Sequence, residues 1–229
     1  MSAAVTDHPA LRRSSRTRRL RGLYAVSPEI DDTRVLLAKI AAALEGGACA
    51  VQYRNKDASE ALREEQALAI ARIQAARGAL YIVNDDPLLA ARVGADGVHL
   101  GQTDPSIESA RELIGPDRII GVSCYGDFER ARAAVAAGAD YVAFGSFFPS
   151  STKPAAHRAG LELLRRAHEL GVPVVAIGGI DESNVRTLID AGADAVAVIS
   201  AIFGHGDPAD TRAAAQAIVA NTTRTSGMP

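Results

Sequence analysis

Eight short apolar runs, each bounded by Gly, Asp or Pro, recur along this chain with room for a helix between most of them. They are GLYAV (22–26), ACAVQYR (48–54), ALYIVN (79–84), GVHLG (97–101), IIGVS (119–123), YVAFG (141–145), VPVVAIGG (172–179) and AVAVIS (195–200). Runs of this length and apolar density suit parallel strands covered on both faces. Eight of them with intervening helices predict an α/β fold, a single closed (β/α)8 TIM barrel, and 229 residues is an ordinary size for one. An open doubly wound sheet is the competing arrangement, but no G-x-G-x-x-G follows the first strand.

The intervening segments carry helix signals. Ser59 can cap a helix in which Leu62, Ala69, Ile73 and Ala76 recur at helical spacing. The segments DFERARAAVAAGAD and DESNVRTLIDAGAD each begin with a potential Asp cap and each end on a Gly, Gly138 or Gly192, suited to a left-handed stop. Gly-Ala-Asp recurs at 94–96, 138–140 and 192–194, each time directly before a strand, and reads as a repeated helix-to-strand connection.

The barrel is expected to occupy residues 21–221. Before it, LRRSSRTRRLRG (11–22) carries six Arg and no acid, so residues 1–20 are expected to form a solvated, disordered tail. A basic nucleic-acid arm or a transit peptide would also be Arg-rich, but no strongly apolar helix face accompanies these residues. Residues 222–229 read as a frayed C-terminal tail. The formal net charge of −2 gives no global basic field for nucleic acid, and no apolar run approaches the roughly 20 residues that a membrane helix needs. The two cysteines, Cys49 and Cys124, form no CxxC pair, which fits a reducing cytoplasm rather than a disulfide framework. A homo-oligomer is left open.

Active sites of this barrel lie at the carboxyl ends of the strands, so the polar residues following each run are the candidates. After the second run, Gln52, Arg54 and Lys56 alternate along QYRNK and point to one side of an extended chain. Two cations there call for an anion, and a phosphate or pyrophosphate matches the Arg fork and the Lys point charge; a surface salt-bridge face is the plainer alternative. After the third run come Asn84, Asp85, Asp86 and Pro87, and after the fourth Gln102 and Asp104. The NDDP stretch can be a helix start, with an Asp cap and Pro at the first helical position. It can equally pair Asp85 with Asp104 around Mg2+, a hard cation that takes one or two carboxylates and completes its shell with water and phosphate oxygens. His99 reads as a hydrogen-bonded core group.

Ser123 follows the fifth run as a neutral hydroxyl able to orient a substrate. Ser150, Ser151, Thr152 and Lys153 lie between two prolines after the sixth, in a loop of phosphate-binding type. Gly178 and Gly179 follow the seventh run, and Ile199 and Ser200 close the eighth. Loops seven and eight are the usual phosphate site of this barrel, where a helix N-terminus faces the anion. Two anion sites in one mouth are therefore expected, one for a diphosphate and one for a phosphate monoester.

Together these motifs resemble the thiamine phosphate synthase family. QYRNK is similar to its Gln-x-Arg-x-Lys motif, and VNDD, GVHLGQTD, GVS, PSSTK, IGGI and VISAI match its later motifs in order, over about residues 20–205. The resemblance implies condensation of a hydroxymethylpyrimidine diphosphate with a thiazole phosphate, releasing pyrophosphate by a dissociative substitution. It implies that Gln52, Arg54, Lys56, Asn84, Ser123 and Lys153 bind the pyrimidine diphosphate, with Arg54, Lys56, Lys153 and Ser123 acting on the leaving group. Asp85 and Asp104 would hold Mg2+, and Ser150, Ser151, Thr152, Gly179, Ile199 and Ser200 the thiazole phosphate. Asn55, Tyr125 and Ser150 depart from the family's usual Glu, His and Thr. A thiazole tautomerase type of barrel, or a non-catalytic phosphate-binding barrel, would need only part of this set.

Overall fold

The computed structural model describes residues 9–75, 77–149 and 159–223. Strands β1 (Gly22–Val26), β2 (Ala50–Tyr53), β3 (Leu80–Asn84), β4 (Gly97–Leu100), β5 (Ile119–Tyr125), β6 (Tyr141–Gly145), β7 (Val174–Ile177) and β8 (Ala195–Val198) pair in sequence order. Every pairing is parallel, and β8 returns to β1 through Ala25 opposite Val198. The sheet is a closed barrel, as the eight apolar runs predict.

Helices α2 (Thr33–Glu45), α3 (Glu60–Ala75), α4 (Pro87–Arg92), α5 (Ile107–Ile114), α6 (Phe128–Ala136), α7 (Leu161–Ala167) and α8 (Val185–Asp190) cover the outside. A four-residue helix α9 (Ser200–Phe203) precedes α10 (Pro208–Ala220). Two apolar layers result. Tyr24, Leu80, Ile82, Ile119, Tyr141 and Val175 fill the lumen, whereas Leu23, Ile40, Val51, Ile70, Val98 and Leu188 pack between sheet and helices. This division follows from the alternation of side chains along a strand.

Local signals set most element ends. Ser59 Oγ accepts from Leu62 N, and the Asp127 carboxylate accepts from Arg130 N, so both caps act as their positions suggest. Gly138 and Gly192 stop their helices at φ of 99° and 117°. Two expectations need correction. The buried stripe of α3 is Gln66, Ala67 and Ile70, beside rather than on the Leu62–Ala69–Ile73 row. Asp181 does not cap a helix directly. Its carboxylate closes a turn onto Ser183, and α8 starts after Asn184.

The expectation of a disordered tail over residues 1–20 is also corrected in part. Pro9–Thr17 form a helix, α1, at the amino-terminal end of the barrel. Arg13 Nε lies 3.2 Å from Asp140 Oδ1, and Arg16 Nε lies 3.2 Å from Asp96 Oδ1. Arg21 pairs with Asp194 at 3.3 Å, and Leu20 is wholly buried in the base of the lumen.

These partners explain the Gly-Ala-Asp repeat. Asp96, Asp140 and Asp194 each accept, through the carboxylate, the backbone N–H of Tyr81, Ile120 or Val174 near the start of the odd strand just before. Each also donates its own N–H to the carbonyl of that same residue. Gly47-Ala48-Cys49 precedes β2 in the same way, with Cys49 N donating to Leu23 O. The connection is therefore present before all four even strands, and only the copy before β2 lacks the carboxylate.

Candidate active site at the carboxyl end of the barrel

The strand-end residues of β2, β3 and β4 converge. Gln52 is buried, and its Nε2 donates to Asn84 Oδ1 at 2.6 Å, tying the ends of β2 and β3 together. Lys56 Nζ lies 2.8 Å from Asp85 Oδ2, and the carboxyls of Asp85 and Asp104 are close enough to shift each other's titration. Asp104 Oδ2 accepts from Gly101 N at 2.6 Å, which anchors the β4 loop. A cavity of about 310 Å³ opens beside this group, lined by Lys56, Asn84, Asp85, Asn55 and Arg63.

The neighbouring residues divide the work of NDDP. Asp86, not Asp85, caps α4 by accepting from Leu89 N at 2.8 Å, and Pro87 takes the first helical position. Asp85 is thereby left free of the cap and has φ of 63°, a left-handed conformation that Asp tolerates better than most residues. Asp85 N donates to His99 O at 2.8 Å and holds the turn against β4.

Electrostatics follow from this packing. Burial raises the Asp85 carboxyl, but its bond from Lys56 and the Lys56 charge outweigh that and hold it below the usual range. Asp104 moves the other way, raised by burial and by the neighbouring Asp85, against the Gly101 N–H. Two carboxylates set against each other repel, and a hard dication between them would relieve that repulsion. Among the described residues no group of three or more His, Cys, Asp or Glu side chains converges.

Arg54 turns toward the first loop. Its Nη1 lies 2.5 Å from Glu29 Oε1, its N–H bonds Ser27 Oγ at 2.8 Å, and Ser27 Oγ donates back to Arg54 O. Gln66 braces the same loops, accepting from Tyr53 Oη and Asn55 Nδ2 while donating to Ile30 O and Asp31 O. Ser27, Glu29 and Gln66 are not among the residues singled out from sequence. The signal was present for two of them, because Ser27-Pro28-Glu29 directly follows the first apolar run, the same rule that finds the other loops.

On the opposite wall, Ser123 Oγ lies 2.9 Å from His99 Nε2, and His99 Nδ1 lies 2.9 Å from Tyr141 Oη. Burial pushes the His99 pKa down to about 4, with Asp85 opposing weakly, so the ring is neutral near pH 7. His99 is the hydrogen-bonded core group that its sequence context suggests. Tyr125 is exposed at φ of 54°, with Arg130 5.8 Å from its ring centre.

Gly178 and Gly179 have φ of 105° and 67°, and a Cβ at Gly179 would lie 2.3 Å from Pro149 O. These glycines thus let the ends of β6 and β7 approach closely. Ile199 is half-buried, and Ser200 opens α9. Ser150, Ser151, Thr152 and Lys153 lie outside the described residues.

With that geometry in hand, similarity to known proteins carries weight. The profile described as thiamine monophosphate synthase matches residues 23–202, from β1 to α9. The chain belongs to this family. A thiamine-phosphate synthase of Thiobacillus denitrificans is 54% identical over 195 residues, 85% of this chain and 91% of that relative. One from Chromobacterium violaceum is 54% identical over 201 residues, 87% and 95% of the two chains. A solved thiamine phosphate pyrophosphorylase of Pyrococcus furiosus superposes with a TM-score of 0.79 at 38% identity, covering 91% of this chain and 97% of that one. The matched region runs from β1 to α9, and the family is one of transferases.

Proposed function

We propose that the chain condenses a hydroxymethylpyrimidine diphosphate with a thiazole phosphate, giving thiamine phosphate and pyrophosphate, as an enzyme of the cytoplasm. The observation that carries this reading is the meeting of Asp85, Asp104 and Lys56 at the ends of three adjacent strands, in a chain whose relatives are thiamine-phosphate synthases. Asp85 and Asp104 would hold Mg2+, whose chemistry is to neutralise charge on the diphosphate oxygens. Arg54, Lys56 and Lys153 add cationic donors to the same oxygens, with Glu29 acting as counter-ion to Arg54 until the anion arrives.

Gln52, Asn84 and Ser123 contact the pyrimidine diphosphate. Ser150, Ser151, Thr152, Gly179, Ile199 and Ser200 bind the phosphate of the thiazole. In the reaction, the bond from the pyrimidine methylene carbon to the diphosphate oxygen breaks, and its electron pair leaves with pyrophosphate. The pyrimidine amino group donates electrons to the cation left behind. The thiazole nitrogen lone pair then forms the new C–N bond. The side chains position both rings and stabilise the departing charge, so no covalent nucleophile is required.

Purified protein supplied with both substrates and Mg2+ should release one pyrophosphate per thiamine phosphate, and chelation of the metal should stop both. Absence of thiamine phosphate with all components present would overturn the assignment.

A further inference from the structure

Ser123 stands at one end of a chain of side-chain hydrogen bonds that crosses the lumen. Tyr24 Oη on β1 lies 3.0 Å from Tyr141 Oη on β6, Tyr141 Oη lies 2.9 Å from His99 Nδ1 on β4, and His99 Nε2 lies 2.9 Å from Ser123 Oγ on β5. The two tyrosines are essentially without exposure and His99 is buried, whereas Ser123 is half-exposed at the mouth. Packing fixes the central ring. Tyr141 is stacked on His99 with centroids 5.6 Å apart, and it fills the space that a Cβ on Gly121 would enter at 1.9 Å.

Proton accounting gives the chain a direction. Three hydroxyls and one imidazole share three contacts, and a buried donor left without a partner loses its hydration with nothing in return. If Ser123 donated to His99, then Nδ1–H would donate to Tyr141 and Tyr141 to Tyr24, leaving the buried Tyr24 hydroxyl proton with no acceptor. An imidazolium would strand the same proton. Among the described residues Tyr24 Oη bonds Tyr141 alone. In the opposite direction every buried proton is used. Tyr24 donates to Tyr141, Tyr141 to Nδ1, and Nε2–H to Ser123 Oγ. The one proton left over is that of Ser123, at the open end.

We infer that Tyr24, Tyr141 and His99 form a one-way relay that fixes the Ser123 hydroxyl as a hydrogen-bond donor to the anionic diphosphate of the substrate. The relay's direction follows from the apo geometry alone, and only the identity of the acceptor rests on the function proposed above. Anionic oxygen is the matching acceptor, because the Ser123 oxygen already receives Nε2–H and its one remaining proton is left at the open end of the barrel. Tyr24, Tyr141 and His99 are positioning residues, acting on the substrate through Ser123.

Two measurements test this separately. In the 15N spectrum of the full-length protein near pH 7, the His99 ring, assigned through its proximity to the Tyr141 ring protons, should show a protonated Nε2 and a bare Nδ1. In Tyr141→Phe this single tautomer should give way to a mixture. A protonated Nδ1 in the unaltered protein would overturn the relay, whatever the protein catalyses. Kinetics supply the second test. Tyr141→Phe should lower kcat roughly threefold to tenfold, the effect of one lost neutral hydrogen bond, with KM for the thiazole phosphate unchanged. Tyr24→Phe should have a smaller effect. The double variant Tyr141→Phe with Ser123→Ala should be no slower than Ser123→Ala within twofold, because the relay has nothing left to orient. Additive losses would assign Tyr141 a packing role and sink the proposal. Failure of the unaltered protein to make thiamine phosphate would count against the proposed reaction, and the 15N result would still decide the relay's direction.

Discussion

Asp85 combines three demands that usually fall on separate residues. Its backbone is left-handed at φ of 63°, its N–H closes a turn onto β4, and its carboxylate meets both Lys56 and Asp104. Asn tolerates the left-handed region as well as Asp does, whereas Ala incurs about 1 kcal/mol there. The two substitutions therefore separate backbone from charge. Asp85→Asn should leave the melting temperature within about a degree or two, because backbone and size are kept, and should cut Mg2+-dependent turnover at least tenfold. Asp85→Ala should lose the same activity and in addition melt about 2–4 °C lower, the shift expected for about 1 kcal/mol in a chain of this size. Thermal melts alongside a Mg2+ titration of the rate check both. Unchanged kinetics in Asp85→Asn would return this residue to a purely local role.

At the scale of elements, the base of the barrel is organised around the Arg-rich segment. A nine-residue helix is not stable alone in water, so α1 owes its existence to what it docks on. Arg13 and Arg16 reach Asp140 and Asp96, and both pairs are partly withdrawn from solvent. Leu20 then enters the lumen. Leu20→Ala should destabilise by about 2–5 kcal/mol, since the cavity lies in a closed barrel base. Arg13→Ala combined with Arg16→Ala should cost about 1–2 kcal/mol, less at high salt. Denaturant titrations measure both, and kcat at low temperature should be unaffected because the mouth lies at the other end. The barrel itself was legible because eight apolar runs and their Gly and Asp boundaries are local signals. The docking of α1 was not, because the acids that order it lie about 80 to 127 residues away in sequence. Cys49 hides the fourth helix-to-strand connection for a related reason: the backbone hydrogen bonds recur there and the side chain does not. At the mouth, Lys56, Asp85 and Asp104 were readable as chemistry typical of strand ends. Tyr24 and Tyr141 look like ordinary lumen aromatics, and only the distances between hydroxyls reveal a network.

For the molecule as a whole, the buried His99 makes stability depend on acid. In the unfolded chain its pKa is near 6.5, and in the fold it is about 4, so between those values the unfolded state binds a proton that the folded state refuses. Stability is therefore complete above about pH 6.5 and declines as pH falls toward 4, by up to about 1.4 kcal/mol per pH unit from this group. The Asp85 carboxyl is held down, away from the interval from 6.5 to 5, whereas Asp104 is raised toward it, so the share carried by the histidine is read from a variant at position 99. Urea midpoints of the unaltered protein should fall steadily across that interval. In His99→Gln, which keeps a polar side chain of similar reach without a titrating ring, the absolute midpoint should be lower at pH 7.5 but its slope between pH 6.5 and 5 should be much flatter. Parallel slopes in the two proteins would mean that another group carries the acid sensitivity. A flat profile in both would mean that His99 is protonated within the fold, which would leave the Tyr24 proton without the acceptor that the relay gives it.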